Sequence, residues 1–113
     1  MKTYFDSNDN QFHLIEEKDI EFTEQYLKLP NGFMMVYMYV TLKEGVESGT
    51  FNFPVPFKQV YRTFASHTWA SETFGYASIG RTTLTSVDVL LSDLNNGISK
   101  ERNGIVIAIG RYK

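Results

Sequence analysis

The sequence contains no cysteine, and this absence removes two of the devices that stabilise small domains. A chain of 113 residues without cysteine forms neither disulfide bonds nor thiolate metal sites. It has only two histidines, His13 and His67, which lie far apart in the sequence, so a dedicated zinc site is not expected. We therefore expect a fold that depends on its own hydrophobic core and binds no metal or other cofactor.

An excess of one charge is also missing. There are 11 Lys and Arg residues and 13 Asp and Glu residues, and the basic residues form no stripe, so nucleic acid is not an expected partner. The longest apolar run, Phe33–Val40, is about half the length that a membrane-spanning helix needs. The N-terminus lacks the apolar region of a signal peptide. We expect a soluble chain that is made in the cytosol and does not insert into a membrane.

Short segments rich in β-branched and aromatic residues, separated by turn signals, dominate the chain. About seven to nine such strands predict an all-β fold, an antiparallel β-sandwich. Pro54 and Pro56 stand at alternate positions that do not fit a central strand, and they predict a corner or an edge crossing. Phe12–Ile15 is a possible short strand, and the predicted strands after it are Ile20–Phe22, Tyr26–Leu29, Phe33–Leu42, Phe51–Phe53, Val60–Ser66, Ala77–Ile79, Thr82–Leu84, Val87–Leu91 and Ile105–Tyr112.

The run Phe33–Val40 has no polar face. Strand alternation places Phe33 and every second residue on one face, and Met34 and every second residue on the other, and both sets are apolar or aromatic. A strand of a small antiparallel sheet usually has one face in water. If both faces are apolar, both are expected to be buried. One face packs in the core of the domain, and the other packs either against loops of the same domain or against a partner chain.

Residues suited to catalysis form no recognisable set. His67 directly follows Ser66, at the end of a predicted strand, and adjacent residues on a strand point to opposite faces, which argues against a nucleophile–base pair between them. Asp88 alternates with Val87 and Val89, as is typical of the wet face of a strand. The chain has no glycine-rich phosphate loop. We therefore expect no enzymatic activity.

Two long polar loops are expected, at 67–76 and 92–104. The first carries Trp69, Phe74 and Tyr76, whose rings are costly to expose unless they pack or bind. Flat apolar faces with polar edges suit sugar rings and amphipathic ligands. The same rings can instead fold back to anchor the loop. The polar side chains of the second loop are suited either to a ligand or to solvent.

Three landmarks occur in order along the chain. Leu29-Pro30-Asn31-Gly32 leads into the apolar strand, Phe53-Pro54-Val55-Pro56-Phe57 follows a loop, and Ile107-Ala108-Ile109-Gly110 comes last. In these features the chain resembles, over most of its length, the C-terminal tip domain of bacteriophage tail fibres. It departs from that family at 36–38, where such domains often carry Gln-Trp-Gly, and at Val106, where an aromatic residue often stands.

The resemblance implies a homotrimer at the distal end of a fibre, in the tail of a virion that is assembled in the host cytoplasm and acts outside it. It implies a β-sandwich over 26–113, preceded by an N-terminal extension or connector over 1–25. The expected partners are further copies of the chain, other tail proteins, and a host surface glycan or outer-membrane protein. The residues expected to bind the receptor are Trp69, Phe74, Tyr76, Arg81, Asn95 and Asn96.

The same resemblance favours an inter-chain contact on one face of the apolar strand. Either face of the strand is open to this role on sequence grounds. We favour the face with Met34, Val36 and Met38, together with the small residue Ala108, because the hydroxyl groups on the other face need hydrogen-bond partners. Methionine also adapts to irregular gaps between chains.

Two other functions stay open. A monomeric carbohydrate-binding module shares the prediction of an aromatic loop but not that of a trimer. A structural tail or baseplate protein would use its loops to bind other tail components. The oligomeric state distinguishes the first alternative from a fibre tip, and co-purification with a tail component identifies the second.

Overall fold

The computed structural model describes residues 3–5, 11–13, 19–68 and 74–113. This part of the chain is all-β, with ten strands, and it contains no helix that could cross a membrane. Strands β3 to β10 form two antiparallel sheets packed as a sandwich, which confirms the predicted fold class. The strands are β1 (Thr3–Phe5), β2 (Gln11–His13), β3 (Glu21–Phe22), β4 (Tyr26–Lys28), β5 (Phe33–Leu42), β6 (Ser48–Asn52), β7 (Gln59–His67), β8 (Gly75–Thr82), β9 (Ser86–Asp93) and β10 (Arg102–Arg111).

The larger sheet has five strands in the order β3-β4-β5-β10-β7, and the smaller sheet has three in the order β6-β9-β8. Among the described strands, β1 and β2 pair only with each other. β5 and β10 pair along their full length, from Phe33 opposite Arg111 to Leu42 opposite Arg102. The apolar strand predicted at 33–42 therefore has the predicted bounds and lies at the centre of the larger sheet.

The turn before β5 requires a glycine. Gly32 has a φ of +99°, which L side chains rarely adopt, and a Cβ there would lie 3.1 Å from the carbonyl oxygen of Lys113. Asn31 Oδ1 accepts a hydrogen bond from the N–H of Phe33 at 3.0 Å. The carbonyl of Gly32 accepts one from the N–H of Tyr112 at 2.9 Å. The Asn-Gly turn thus defines the start of β5 and ties it to the end of β10.

The core lies between the inner faces of the two sheets. Its buried apolar side chains are Met34, Val36, Met38, Val40, Leu42, Phe53, Phe57, Val87, Val89, Leu91, Val106 and Ala108. This corrects the predicted inter-chain contact, because Met34, Val36 and Ala108 are 0% exposed and Met38 is 8% exposed within a single chain. The smaller sheet already covers all four residues, so they have almost no surface left for a partner.

Pro54 and Pro56 lie between β6 and β7, where the chain crosses from the smaller sheet to the larger one. This confirms the crossing that the two prolines predicted. Phe53 and Phe57 flank them and are both buried, and their ring centroids lie 5.1 Å apart in an edge-to-face arrangement. Such aromatic pairs stabilise a core beyond the area that they bury, so they anchor the crossing to the core.

β8 is longer than predicted. It begins at Gly75, so Tyr76 belongs to a strand and not to a loop. It also continues through Gly80 and Arg81, where two separate strands were expected. The register against β9 shifts at this point, as it does at a β-bulge, in which extra residues on one strand are accommodated without ending it.

The larger sheet begins ahead of residue 26, the predicted domain boundary. β3 pairs with β4 through Glu21 opposite Lys28 and Phe22 opposite Leu27. The hydroxyl of Tyr26 donates a hydrogen bond to the Glu21 carboxylate at 3.0 Å. This hydrogen bond, with smaller effects of desolvation and of the Glu21 charge, raises the pKa of Tyr26. β3 is thereby tied to the sheet by side chains as well as by backbone.

Candidate functional site

Two connections and the described ends of a third meet at one end of the sandwich, which we call the loop end. They are 43–47 between β5 and β6, 94–101 between β9 and β10, and Thr68 and Phe74, which flank the connection between β7 and β8. The register explains why they meet, because the ends of β5 and β7 both align with the start of β10. A rigid sheet that presents several loops at one end is a common platform for binding.

Exposed apolar side chains lie at the loop end. Phe74 is 70% exposed, Leu94 is 67% exposed and Tyr76 is 53% exposed. The N–H of Leu94 donates a hydrogen bond to the carbonyl of Phe74 at 2.7 Å, which continues the pairing of β8 with β9. Residues opposite each other in such a pair share a face, so these three side chains lie on the same, outer side of the smaller sheet.

Leu94 was not among the predicted site residues. The signal was present in the sequence, because a large apolar residue within a polar loop is as costly to expose as the rings of Phe74 and Tyr76. Trp69, the third aromatic residue of the prediction, lies outside the described residues.

Asn95 and Asn96 follow Leu94 directly, so the structure brings them to the same end. The carbonyl of Asn96 accepts hydrogen bonds from the N–H and the hydroxyl of Ser99, at 3.0 and 2.7 Å, which closes a turn. Within the described part of the chain the side-chain amides of both asparagines have no partner. They can therefore donate and accept hydrogen bonds beside the apolar side chain of Leu94.

Arg81 is not part of this group. It lies near the opposite end of β8, five residues beyond Tyr76, and strand geometry puts about 17 Å between them. The structure therefore does not bring Arg81 together with the other predicted receptor-binding residues, and its role in binding stays a prediction. The sequence suggested two short strands around Gly80, whereas one continuous strand carries Arg81 away from the loop end.

His67 and Asp93 form a buried pair beneath the loop end. His67 Nε2 lies 2.6 Å from Asp93 Oδ1, and the side chains are 5% and 7% exposed. The pair joins the last residue of β7 in the larger sheet to the last residue of β9 in the smaller one. A Cβ at Gly75 would clash with the His67 ring and with the backbone carbonyl of Ser92, so a glycine is needed there.

Ser66 does not complete a catalytic arrangement with His67. Its side chain is on the opposite face of β7, as predicted, and its hydroxyl donates to the backbone carbonyl of His67 at 3.4 Å. The ring of His67 instead forms a hydrogen bond with the carboxylate of Asp93. The geometry is that of a structural link between sheets.

Arg102 joins two of the three loops. It is almost wholly buried, and its guanidinium donates to the carbonyls of Ile98 at 2.9 Å and Lys100 at 2.8 Å, and also to that of Val46. A weaker contact reaches the carbonyl of Lys43 at 3.5 Å. One charged side chain therefore holds 43–47 against 94–101. The sequence offered no signal for this role, because a charge in a polar segment is usually solvated.

The outer face of the larger sheet is apolar. We call it the apolar face, and it consists of Met35, Tyr37, Tyr39, Phe64, Ile105 and Ile107. None of these side chains is in the core. The rings of Tyr37 and Tyr39 meet edge to face, 5.6 Å apart. A hydrogen bond to Tyr39, and to a lesser degree desolvation, raises the pKa of Tyr37.

The outer face of the smaller sheet has the opposite character. We call it the polar face, and it carries Ser48, Thr50, Asn52, Ser78, Ser86 and Asp88, with Leu90 near its centre. The Thr50 hydroxyl donates to the Asp88 carboxylate at 2.6 Å. This confirms that Asp88 lies on the wet side of its strand.

Solved structures with the same fold come from pyocin tail fibres. An N-truncated R2-type pyocin tail fibre matches with a TM-score of 0.65 at 18% identity, over 81% of this chain and 36% of that one. A C-terminal fragment of the P. aeruginosa R2 pyocin fibre matches with the same score and identity, over 25% of its own length. An N-truncated R1-type fibre matches with a TM-score of 0.64 at 15% identity, over 80% of this chain and 83% of that one. The chain thus shares the fold of these fibres and spans a minor part of two of them.

No protein-family model and no curated protein matches the sequence.

Proposed function

We propose that this chain is the receptor-binding tip of a tail fibre of a phage or a phage-like particle, that it is not an enzyme, and that it acts as a homotrimer. The observation that carries the proposal is the group of exposed apolar side chains at the loop end, on a fold that pyocin tail fibres share. A soluble domain rarely exposes such a cluster unless it binds something.

The chemistry of the loop end suits a glycan or the outer loops of a membrane protein on the host surface. Phe74 and Tyr76 offer flat rings, which stack on the apolar faces of sugars. Asn95 and Asn96 offer amides, which donate to and accept from hydroxyl groups. The His67–Asp93 pair and Arg102 hold these residues on a rigid base, which lowers the entropic cost of binding.

Binding of the purified protein to a panel of Gram-negative cells, with and without competing soluble surface polysaccharide, tests the proposal. Leu94→Ser and Phe74→Ser are expected to weaken binding at least about tenfold, as truncation of an interface anchor does. Leu84→Ser is the matched control, because Leu84 is also exposed but lies in the turn after β8, at the other end of the sandwich. If no cells bind and the protein co-purifies with a tail component, it is a structural tail protein instead.

A further inference from the structure

We propose that the apolar face is the surface through which copies of this chain assemble. The proposal rests on the oligomer of the proposed function and deepens it by naming the contact. It replaces the contact through Met34, Val36, Met38 and Ala108, which the core occupies.

The size of the outer side of the larger sheet fits an interface. β5, β10 and β7 are about 30 Å long and spaced about 4.8 Å apart, so their whole outer side has a projected area of roughly 450 Å², and the apolar face is its central part. Soluble monomers rarely expose large contiguous apolar patches except at interaction sites. The whole outer side supplies more than half of the roughly 800 Å² that each partner contributes to a protein–protein interface of standard size.

The charge distribution favours a second copy of the chain over a different protein. In β5, β10 and β7, which are described in full, the only charged side chains on the outer side are Arg62 and Arg111. Both lie at the end opposite the loop end, and the centre around Ile107 is uncharged. Copies related by a rotation axis bring residues near the axis against themselves, where like charges repel. A centre without charge is what such a contact requires.

The composition agrees with that of an interface core. Tyrosine, phenylalanine and methionine are enriched in interface cores, and Lys, Asp and Glu are depleted. Among the described strands, the smaller sheet packs only on the inner side of the larger one, so no described strand covers the apolar face. A copy of the chain is the one partner that is always present when this surface is made.

Sedimentation equilibrium of the whole chain at micromolar concentration tests the proposal. The unaltered protein is expected at about three times the 13.0 kDa of one chain. Ile107→Asp is expected to reduce this mass to that of one chain. Leu90→Asp is the matched control, because Leu90 is half-buried on the central strand of the polar face, and it is expected to leave the mass unchanged.

Cross-linking gives a second readout that does not depend on a charged substitution being tolerated. The chain has no cysteine, so Ile107→Cys and Leu90→Cys each introduce a single thiol. A short bismaleimide is expected to join chains through Cys at position 107 and not at position 90. Equal cross-linking at both positions, or an assembly that survives Ile107→Asp, overturns the proposal.

The outcomes separate this inference from the proposed function. A protein that is monomeric at all concentrations but binds cells through Leu94 contradicts the interface and leaves receptor binding intact. A protein that assembles through position 107 but binds no cells supports the interface and contradicts receptor binding.

Discussion

The two outer faces of the sandwich differ, although the strands beneath them follow the same alternation. On β9 of the smaller sheet, buried Val87 and Val89 alternate with half-buried Ser86, Asp88 and Leu90. On β10 of the larger sheet, buried Val106 and Ala108 alternate with Ile107 and other isoleucines. The outer side of the smaller sheet is polar over most of its area, with Leu90 at its centre and apolar side chains at the loop end. The outer side of the larger sheet is apolar at its centre, and we attribute this difference to the proposed contact with other copies.

The largest change in unfolding free energy is expected from alanine substitutions of two neighbouring methionines on β5, one on each face of the strand. Met34→Ala removes a wholly buried side chain and is expected to lower the free energy of unfolding by about 2–5 kcal/mol. Met35→Ala removes a side chain of the apolar face, so its loss should come from association and should depend on protein concentration. Urea unfolding at two protein concentrations measures both. If the destabilisation by Met34→Ala instead depended on protein concentration, the face of β5 that carries Met34 would contact the partner chain, and the proposed contact through the apolar face would be wrong.

The His67–Asp93 link tests whether the two sheets are stabilised together. His67→Ala leaves the buried Asp93 carboxylate without its partner and is expected to cost about 1–3 kcal/mol of unfolding free energy. His67→Gln, which keeps a hydrogen-bonding group, should cost less. The midpoint of urea unfolding is the measurement, and a midpoint that His67→Ala leaves unchanged would show that the sheets do not depend on this pair.

A smaller effect is expected on the polar face. Thr50→Val removes the hydrogen bond to Asp88 and should cost about 0.5–1.5 kcal/mol while leaving the oligomeric mass unchanged. Thr50→Ser keeps the hydroxyl and serves as the control. A change of mass in Thr50→Val would mean that the polar face also takes part in assembly, and the contrast between the two faces would then fail.

The smallest effect should come from salt. The centre of the apolar face is uncharged, so screening has little to act on there. We expect the sedimenting mass to be the same in about 0.05 M and about 0.5 M NaCl. Dissociation at high salt would indicate that Arg62 or Arg111, at the edge of the face, contributes more to assembly than the apolar side chains do.

The sequence predicted much of the fold because the relevant signals are local. The alternation of Phe33–Leu42, the Asn31-Gly32 turn and the alternate prolines each specify backbone geometry within a few residues. The sequence could not decide which face of β5 meets the smaller sheet, because both faces are apolar. That choice depends on pairing with β10 and packing against β9, which are distant in the chain.

The site was predicted less well, for the same reason. Pairing of β8 with β9 brings together Phe74, Tyr76, Asn95 and Asn96. The sequence alone did not predict which strands pair. Arg81 lies apart from this group because β8 continues through Gly80 with a register shift, whereas a glycine at that point of the sequence suggested a turn between two strands. The role of Arg102 depends on carbonyl groups of two loops, and the identity of a residue carries no information about such contacts.

The position of β10 has a consequence for synthesis of the protein. β10 follows the other strands in chain order but lies between β5 and β7, and it supplies the pairing for one edge of each. While the ribosome is still translating β9, both strands have an unpaired edge, and such edges promote aggregation. Pairing between distant segments is also slow. A nascent chain that stalls before Arg102 therefore leaves the larger sheet in two parts, and the sheet can close only after β10 has emerged.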